Sequence, residues 1–591
     1  MKTLQEIHEQ IVKSTTADLI ASVKEAPLNA THPVSIYFLM NFTINPIEPF
    51  LKHYLYQSNF NSDIIFGQYD NIMQEILDDQ SILRTKQFDL VVCSLFYHTQ
   101  DALLIESLNN PEHFINQLST YFDNILEKTS SLLLLNTLIT PFFSETGITS
   151  QVRPNQTDAI LEINQFIRHY VRQHANRCFL MDWNRYTQLL GEQNSLDYRY
   201  WYMYKAPFKK DFLSLYSNDI TKVARALKGK AKKCLILDCD NTLWGGIIGE
   251  DGIGGIKLDN HNYPGKVFYD FQQTVLKLSE IGVILALCSK NNEQDVWEVF
   301  EKHPYSLLRR NHFAAHRINW VNKADNIIDL VNELNIGIDS CVFVDDSKTE
   351  CELIRTALPD VTVLQVPQPI YEYPALLLKA GLFDTISLNQ EDASRNKKYQ
   401  EENQRKQLLK KSHSVTDYLA SLELVALIHP ITETEIPRVT QLTQKTNQFN
   451  LNTQRYTQQQ IENFYHSENS MVFSLTAKDK FGDYGLTGVL IAKKIGKKGL
   501  IDTFLMSCRV LSRNLEDVFV QTCLNYCKQK WGVTEWEADF VPSDKNMQIV
   551  PFLQKTGFTT EDNQKYFLNM NQWSQEKVTH IKVITEGITY A

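Results

Sequence analysis

The sequence predicts a multi-domain α/β protein, and three observations carry that expectation. Short apolar runs alternate with helical segments from Val34 through the middle of the chain, the mark of parallel strands covered on both faces by crossover helices. Two of those runs end in paired acids: Cys234-Leu-Ile-Leu237 leads into Asp238-Cys-Asp240, and Cys341-Val-Phe-Val344 into Asp345-Asp346. After residue 413 the pattern changes, and strands follow one another with little helix between them. At 591 residues the chain has room for three or four domains, each with its own core.

Residues 1–30 alternate with a helical period. Val34–Met40, Ser62–Phe66, Asp89–Cys93 and Leu132–Leu135 then read as buried strands of a doubly wound unit, taken as one domain over residues 1–225. A second α/β domain is expected over 226–388. Residues 389–412 carry many charges and no proline or glycine, and read as a solvated helical linker, or as a segment whose Arg395, Tyr399 and Arg405 line the neighbouring site. Residues 413–591 form the last domain. Its strands are Val472–Leu475, Gly485–Ile491 and Leu500–Met506, its main helix Glu516–Gln529.

The chemistry is concentrated in the second domain. Successive strand residues face opposite ways, so Asp238 and Asp240 project together from the carboxyl end of their strand while Cys239 points away. Two adjacent carboxylates repel and call for a divalent cation. Asp238 can then attack phosphorus to give an aspartyl-phosphate, and Asp240 can protonate the leaving group and afterwards take a proton from water. Asp-x-Asp-x-Thr by itself also arises by chance, and acids at strand ends often only cap helices. The downstream series supplies the context: Gly282–Ser289, a buried strand ending in a hydroxyl; Asn319-Trp-Val-Asn-Lys323, a lysine opening a helix; and Cys341–Asp346, a strand ending in two acids. These offer a phosphate hydrogen-bond donor, a phosphate counter-charge and two carboxylates for a hard cation such as Mg²⁺.

This four-part series resembles the haloacid dehalogenase (HAD) superfamily of aspartate-nucleophile phosphotransferases. The resemblance implies Asp238 as nucleophile and Asp240 as acid and base. It makes Thr242, Ser289 and Lys323 phosphate binders, and places Mg²⁺ among Asp238, Asp345, Asp346 and the Asp240 backbone carbonyl. The surrounding words Trp244-Gly-Gly-Ile-Ile-Gly-Glu-Asp251, Cys288-Ser-Lys-Asn-Asn292, Arg317-Ile-Asn-Trp320, Leu442-Thr-Gln-Lys-Thr-Asn-Gln-Phe-Asn450 and Ser507-Cys-Arg-Val-Leu511 are similar to those of the FkbH-like family. That likeness implies recruitment of 1,3-bisphosphoglycerate, loss of phosphate, and transfer of the glyceryl group through an enzyme thioester to the phosphopantetheine thiol of an acyl carrier protein. Two rivals stand beside it: a small-molecule phosphatase whose flanking domains only select substrate, and a carrier-protein docking scaffold.

Only 49 positions separate Asp240 from Ser289 and 34 separate Ser289 from Lys323, too few for an inserted cap domain, so the site is expected to be open. Trp244, Gly245, Gly246 and Gly249 fit a mobile flap and a tight turn equally well. In FkbH-like proteins the first domain resembles an SGNH hydrolase. Here, however, Asn41-Phe-Thr43 stands where a Gly-Asp-Ser turn is needed and Asp197-Tyr-Arg199 supplies no Asp-x-x-His dyad, which leaves a docking or recognition module. The last domain looks like a GNAT-type acetyltransferase. Its phosphate-cradle turn reads Arg509-Val-Leu-Ser-Arg-Asn514, with Ser512 and Asn514 at both glycine positions, so coenzyme A is expected to bind poorly and the groove to suit a carrier's pantetheine arm.

A glyceryl thioester needs a thiol. Cys508, at a strand end beside Arg509 and a helix start, is the first candidate and Cys239 the second; Cys288 shares the inward orientation of Cys239, and plain core packing is the alternative for each. The ten cysteines show no metal-ligand spacing and read as reduced thiols. A net charge of −10 disfavours a nucleic-acid footprint. The amino terminus lacks the pattern of a signal peptide, and the longest apolar stretch, Leu132–Phe143, is broken by Asn136, Thr137, Thr140 and Pro141, so a cytoplasmic enzyme without a membrane span is expected.

Overall fold

The computed structural model describes residues 18–19, 32–98, 110–143, 147–148, 155–385, 401, 405, 408–409, 414–507, 510–543, 546–574 and 578–585. The chain divides into two compact units, Met1–Ala226 and Leu227–Ala591. Almost all of the helical pattern of residues 1–30 lies outside the described residues, as do Arg395 and Tyr399.

The first unit is built on five parallel strands: β1 (His32–Met40), β2 (Phe60–Phe66), β3 (Leu90–Ser94), β4 (Leu132–Asn136) and β5 (Cys178–Met181), in the order β2-β1-β3-β4-β5. Every residue of β3 and β4 is buried, as their unbroken apolar sequences require. The helix Pro111–Lys128 starts at an Asn110 cap and buries Phe114, Leu118, Phe122 and Ile125, one stripe at helical spacing. β5 escaped the sequence because its four residues, two of them only half-buried, give no clear pattern. Asn41 is committed to structure: its amide donates to the Phe96 carbonyl at 3.0 Å and its Oδ1 accepts from the Phe96 N–H at 2.9 Å, tying the ends of β1 and β3. Asp197 caps the helix Tyr198–Tyr204.

The second unit holds two sheets. Five parallel strands, β6 (Cys234–Leu237), β7 (Ile284–Ser289), β8 (Phe313–Ile318), β9 (Cys341–Asp345) and β10 (Thr362–Gln365), run in the order β10-β9-β6-β7-β8. The strand β6, which leads into Asp238, is therefore central, with every residue buried. Leu235, Leu237 and Cys239 join the core on one face, Cys234, Ile236 and Cys288 the core on the other, the alternation of period two expected of strands. Between β6 and β7 lie only the helices Ile248–Gly255 and Gly265–Glu280, so no cap domain interrupts the sheet.

The third sheet is mixed. β11 (Leu424–Pro430), β13 (Ser470–Asp479), β14 (Gly482–Ile495), β15 (Lys498–Met506), β16 (Glu535–Asp539), β17 (Thr559–Thr560), β18 (Lys565–Asn569) and β19 (Ile581–Thr585) run in the order β17-β18-β16-β15-β14-β13-β11-β19, and the short β12 (Phe449–Asn450) pairs with β15. The helix Leu515–Trp531 packs on it through Phe519, Cys523 and Leu524. Arg405 departs from both readings of its segment, the solvated linker and the lining of the neighbouring site. It is buried on this sheet, its Nε and Nη2 donating to Asp479 at 2.6 and 2.8 Å, with its guanidinium 4.2 Å from the Tyr484 ring centre. An arginine cannot shed its charge, so burial requires such a partner. Among the described residues no helix is long and apolar enough to cross a membrane.

Candidate active site

The carboxyl ends of β6, β7 and β9, together with the start of the helix Lys323–Leu334, bring the acid, hydroxyl and lysine residues to one place. Asp238 follows β6, and its N–H still donates to the Val344 carbonyl at 3.0 Å, so the ladder carries it beside Asp345. Asn322 caps the helix by accepting from the Ala324 N–H at 2.8 Å, which makes Lys323 the first helical residue and aims it inward. Lys323 Nζ donates to Asp238 Oδ1 at 2.9 Å and to Asp345 Oδ2 at 2.6 Å, with only 3 % of the lysine exposed. Burial opposes its charge, but the two carboxylates more than offset that and raise its pKa above the usual lysine range.

Asp238, Asp345 and Asp346 each offer a carboxylate oxygen, and these lie within 4.8 Å of one another, the only such group among the described residues. Burial, reinforced by Asp238, raises the Asp345 carboxyl, while burial with Asp238 and Asp345 pushes Asp346 up to about 6. Carboxylates driven toward protonation by one another are the setting that a divalent cation relieves, and an all-oxygen donor set suits a hard one. The side chain of Asp240 stands outside this group.

Asp240 is held separately. Its Oδ1 accepts from Trp244 Nε1 at 2.9 Å and from the Ile248 N–H at 3.1 Å, and its Oδ2 from Asn291 Nδ2 at 3.0 Å. Burial raises its carboxyl above the usual range while these donors pull it back. Ser289 ends β7 with its Oγ accepting from the same Asn291 nitrogen at 3.1 Å. Thr242, the third phosphate binder that the resemblance implies, is fully buried just beyond Asp240, and its Oγ1 has no hydrogen-bond partner. The turn after β6 is packed. Trp244 is wholly buried, a Cβ on Gly245 would come within 2.7 Å of the Phe268 ring, and Gly246 has φ 95°, a conformation that favours glycine.

Sequence reasoning assigned no role to Asn291. Its signal was present, because it stands two residues beyond Ser289 and so projects to the same side, but an asparagine in a Ser-Lys-Asn-Asn run looks like loop and cap material.

Of the two thiol candidates the structure describes only Cys239. Cys508 lies outside the described residues. Cys239 is wholly buried, and burial raises its pKa well above the ordinary thiol value, so it has neither the access nor the thiolate character of an acyl carrier. All nine cysteines among the described residues are buried and free.

One edge of β15 is paired by two segments of the chain in turn. β16 pairs with β15 only over Gly499–Ile501, and beyond that β12 fills the gap, with Phe449 opposite Met506 and Asn450 opposite Leu505. The Leu451 N–H donates to the Phe504 carbonyl at 2.9 Å, and the Leu451 carbonyl accepts from the Val541 N–H at 3.2 Å. Ser512 and Asn514 nevertheless adopt φ of 64° and 61°, so the turn keeps the left-handed form that glycine favours. Glu516 and Asp517 follow it at the helix start, where a pyrophosphate would need positive potential.

No protein-family model matches the chain, and neither does any curated protein. Among solved structures, the crystal structure of the N-terminal part of the protein BF1531 from Bacteroides fragilis, containing a phosphatase domain complexed with Mg, is 26 % identical over 66 % of this chain and all of its own, with a TM-score of 0.55. The ribosomal-protein-S18-alanine N-acetyltransferase from Escherichia coli matches 24 % of this chain and 90 % of its own at 12 % identity, TM-score 0.19. NAA60 of Arabidopsis thaliana, solved with a bisubstrate analogue, matches 24 % and 95 % at 12 % identity, TM-score 0.20.

Proposed function

We propose that the chain is a Mg²⁺-dependent phosphatase that works through an aspartyl-phosphate. The observation that carries this is the convergence of Asp238, Asp345 and Asp346 around one cation-sized space with Lys323 bonded to two of them. The similar Bacteroides fragilis protein, crystallised with Mg, supports both the reaction class and the ion.

Asp238, Asp345 and Asp346 would hold the ion, which supplies charge to draw in a phosphoryl group and to quiet the repulsion between that group and Asp238. Asp238, which accepts a hydrogen bond from the Lys323 ammonium, attacks phosphorus. Lys323 uses two N–H groups on Asp238 and Asp345 and has a third for a phosphoryl oxygen. The Ser289 hydroxyl, which accepts from Asn291, offers its own proton to another. Asp240 gives a proton to the departing oxygen and later takes one from the attacking water.

The finer function is glyceryl transfer: 1,3-bisphosphoglycerate as the three-carbon substrate and an acyl carrier protein as acceptor, in polyketide-type assembly. It is supported by the FkbH-like words spread along the chain. Intact-protein mass spectrometry after incubation with 1,3-bisphosphoglycerate, with and without a holo-carrier protein, tests both levels. A hydroxylamine-sensitive glyceryl adduct that moves to the carrier supports transfer; steady phosphate release with no adduct on either protein reduces the function to the phosphatase.

A further inference from the structure

The two oxygens of Asp240 are in different surroundings. Oδ1 receives two donors, Trp244 Nε1 and the Ile248 N–H, so both its lone-pair directions are occupied and a proton on it would meet another hydrogen. Oδ2 receives one donor, Asn291 Nδ2, and keeps a direction open. Asn291 Nδ2 carries two hydrogens, and its second goes to Ser289 Oγ. The amide orientation follows from chemistry, since turning it would set a carbonyl oxygen against a carboxylate. Trp244 is wholly buried, its ring edge-on to Phe300 at 5.6 Å, and Asn291 is 5 % exposed, so neither donor swings freely.

We propose that Trp244 and Asn291 are positioning residues that hold the Asp240 carboxylate so that Oδ2, the oxygen on the Ser289 side, exchanges the proton with the leaving group and then with water. This rests on the phosphatase assignment of the same site. In the first half-reaction the Asp238–phosphorus bond forms as the substrate phosphorus–oxygen bond breaks, and the departing oxygen takes the proton from Oδ2. In the second, a water oxygen bonds phosphorus, its proton passes to Oδ2, and the Asp238–phosphorus bond breaks. Because one amide nitrogen touches both Oδ2 and Ser289 Oγ, the proton donor is set in register with the oxygen that grips the phosphoryl group.

Leaving-group dependence separates this role from simple support of the fold. Phenyl phosphate needs its leaving oxygen protonated, whereas p-nitrophenyl phosphate expels a phenolate that hardly does. Asn291→Ala and Trp244→Phe are compared with wild type on both, with a rapid-quench measurement of the first turnover and of phosphoenzyme. The expected result is a loss of about 10²-fold in the first-turnover rate on phenyl phosphate. The p-nitrophenol burst should change by less than about tenfold, and phosphoenzyme should accumulate because water activation is slowed. Equal losses in the first-turnover rate on both substrates, or a raised KM with kcat unchanged, overturn the inference. Asn291→Ala, which leaves the packed indole intact, keeps the test decisive if Trp244→Phe fails to fold. A wild-type chain that releases no phosphate from either substrate with Mg²⁺ overturns the phosphatase assignment itself, a different outcome from an active wild type with indifferent variants.

Discussion

Lys323 Nζ lies 2.9 Å from Asp238 Oδ1 although 85 residues separate them, and the pair is almost fully buried. With Asp345 as second partner, this ammonium is the counter-charge for an acidic cluster that would otherwise strain the carboxyl end of the sheet. Lys323→Met is therefore expected to lower stability by roughly 3–5 kcal/mol in EDTA, since it leaves buried carboxylates uncompensated, and to regain much of that with Mg²⁺. Thermal melts with and without the ion check this; a melting temperature equally lowered in both would show that the lysine does not share the ion's role.

Asp238→Asn is expected to abolish phosphate release while the melting temperature holds, because an amide cannot form the acyl-phosphate. Asp240→Asn is expected to be severely slowed and to trap phosphoenzyme. Phosphate release near the wild-type rate from Asp238→Asn would end the nucleophile assignment.

EDTA is expected to stop turnover, and extra Mg²⁺ to restore part of the activity of Asp346→Ala, whose partners Asp238 and Asp345 remain. Asp345→Ala should recover less, because Asp345 also accepts from Lys323. The raised pKa of Asp346, about 6, means that protons compete with the ion there. Activity at limiting Mg²⁺ should fall as pH drops through that value, and saturating Mg²⁺ should move the fall to lower pH. Turnover indifferent to EDTA would remove the metal from the mechanism.

Calorimetry is expected to find little binding of acetyl-CoA, since β12 occupies the edge of β15 and Glu516 and Asp517 stand where phosphates would go. Ser512→Gly should raise stability by about 1 kcal/mol, because serine at φ 64° carries a steric penalty that glycine lacks. Micromolar acetyl-CoA affinity would contradict the first expectation, and an unchanged melting temperature the second.

Arg405→Met is expected to cost roughly 3–5 kcal/mol by stranding Asp479 in the third sheet, and the double change with Asp479→Leu to recover part of it. Burial disfavours the Asp479 charge, but Arg405 and Tyr484 more than offset it and hold the carboxyl below its usual range. The stabilisation it gives is thus complete at neutral pH and is lost as acidification carries the pH down through that lowered value. Urea titrations of the three proteins at neutral pH read the difference.

The amino-acid sequence by itself determined the strand ends that carry Asp238, Asp240, Ser289, Asp345 and Asp346, because an apolar run stopping at an acid or hydroxyl is a local pattern and period-two alternation then orients the side chains. It also determined the absence of room for a cap, through the short spacing between motifs. Only the tertiary structure decided that Asn291 and Trp244 grip the two oxygens of Asp240, that Arg405 is a buried partner of Asp479 rather than a solvated charge, and that β12 fills the edge of β15. β12 is two residues long and Asn291 and Arg405 are polar, so none carries a periodic signal. Their places are set by which distant backbone or charge leaves a hydrogen bond to be satisfied, a quantity that exists only once the sheets have been assembled.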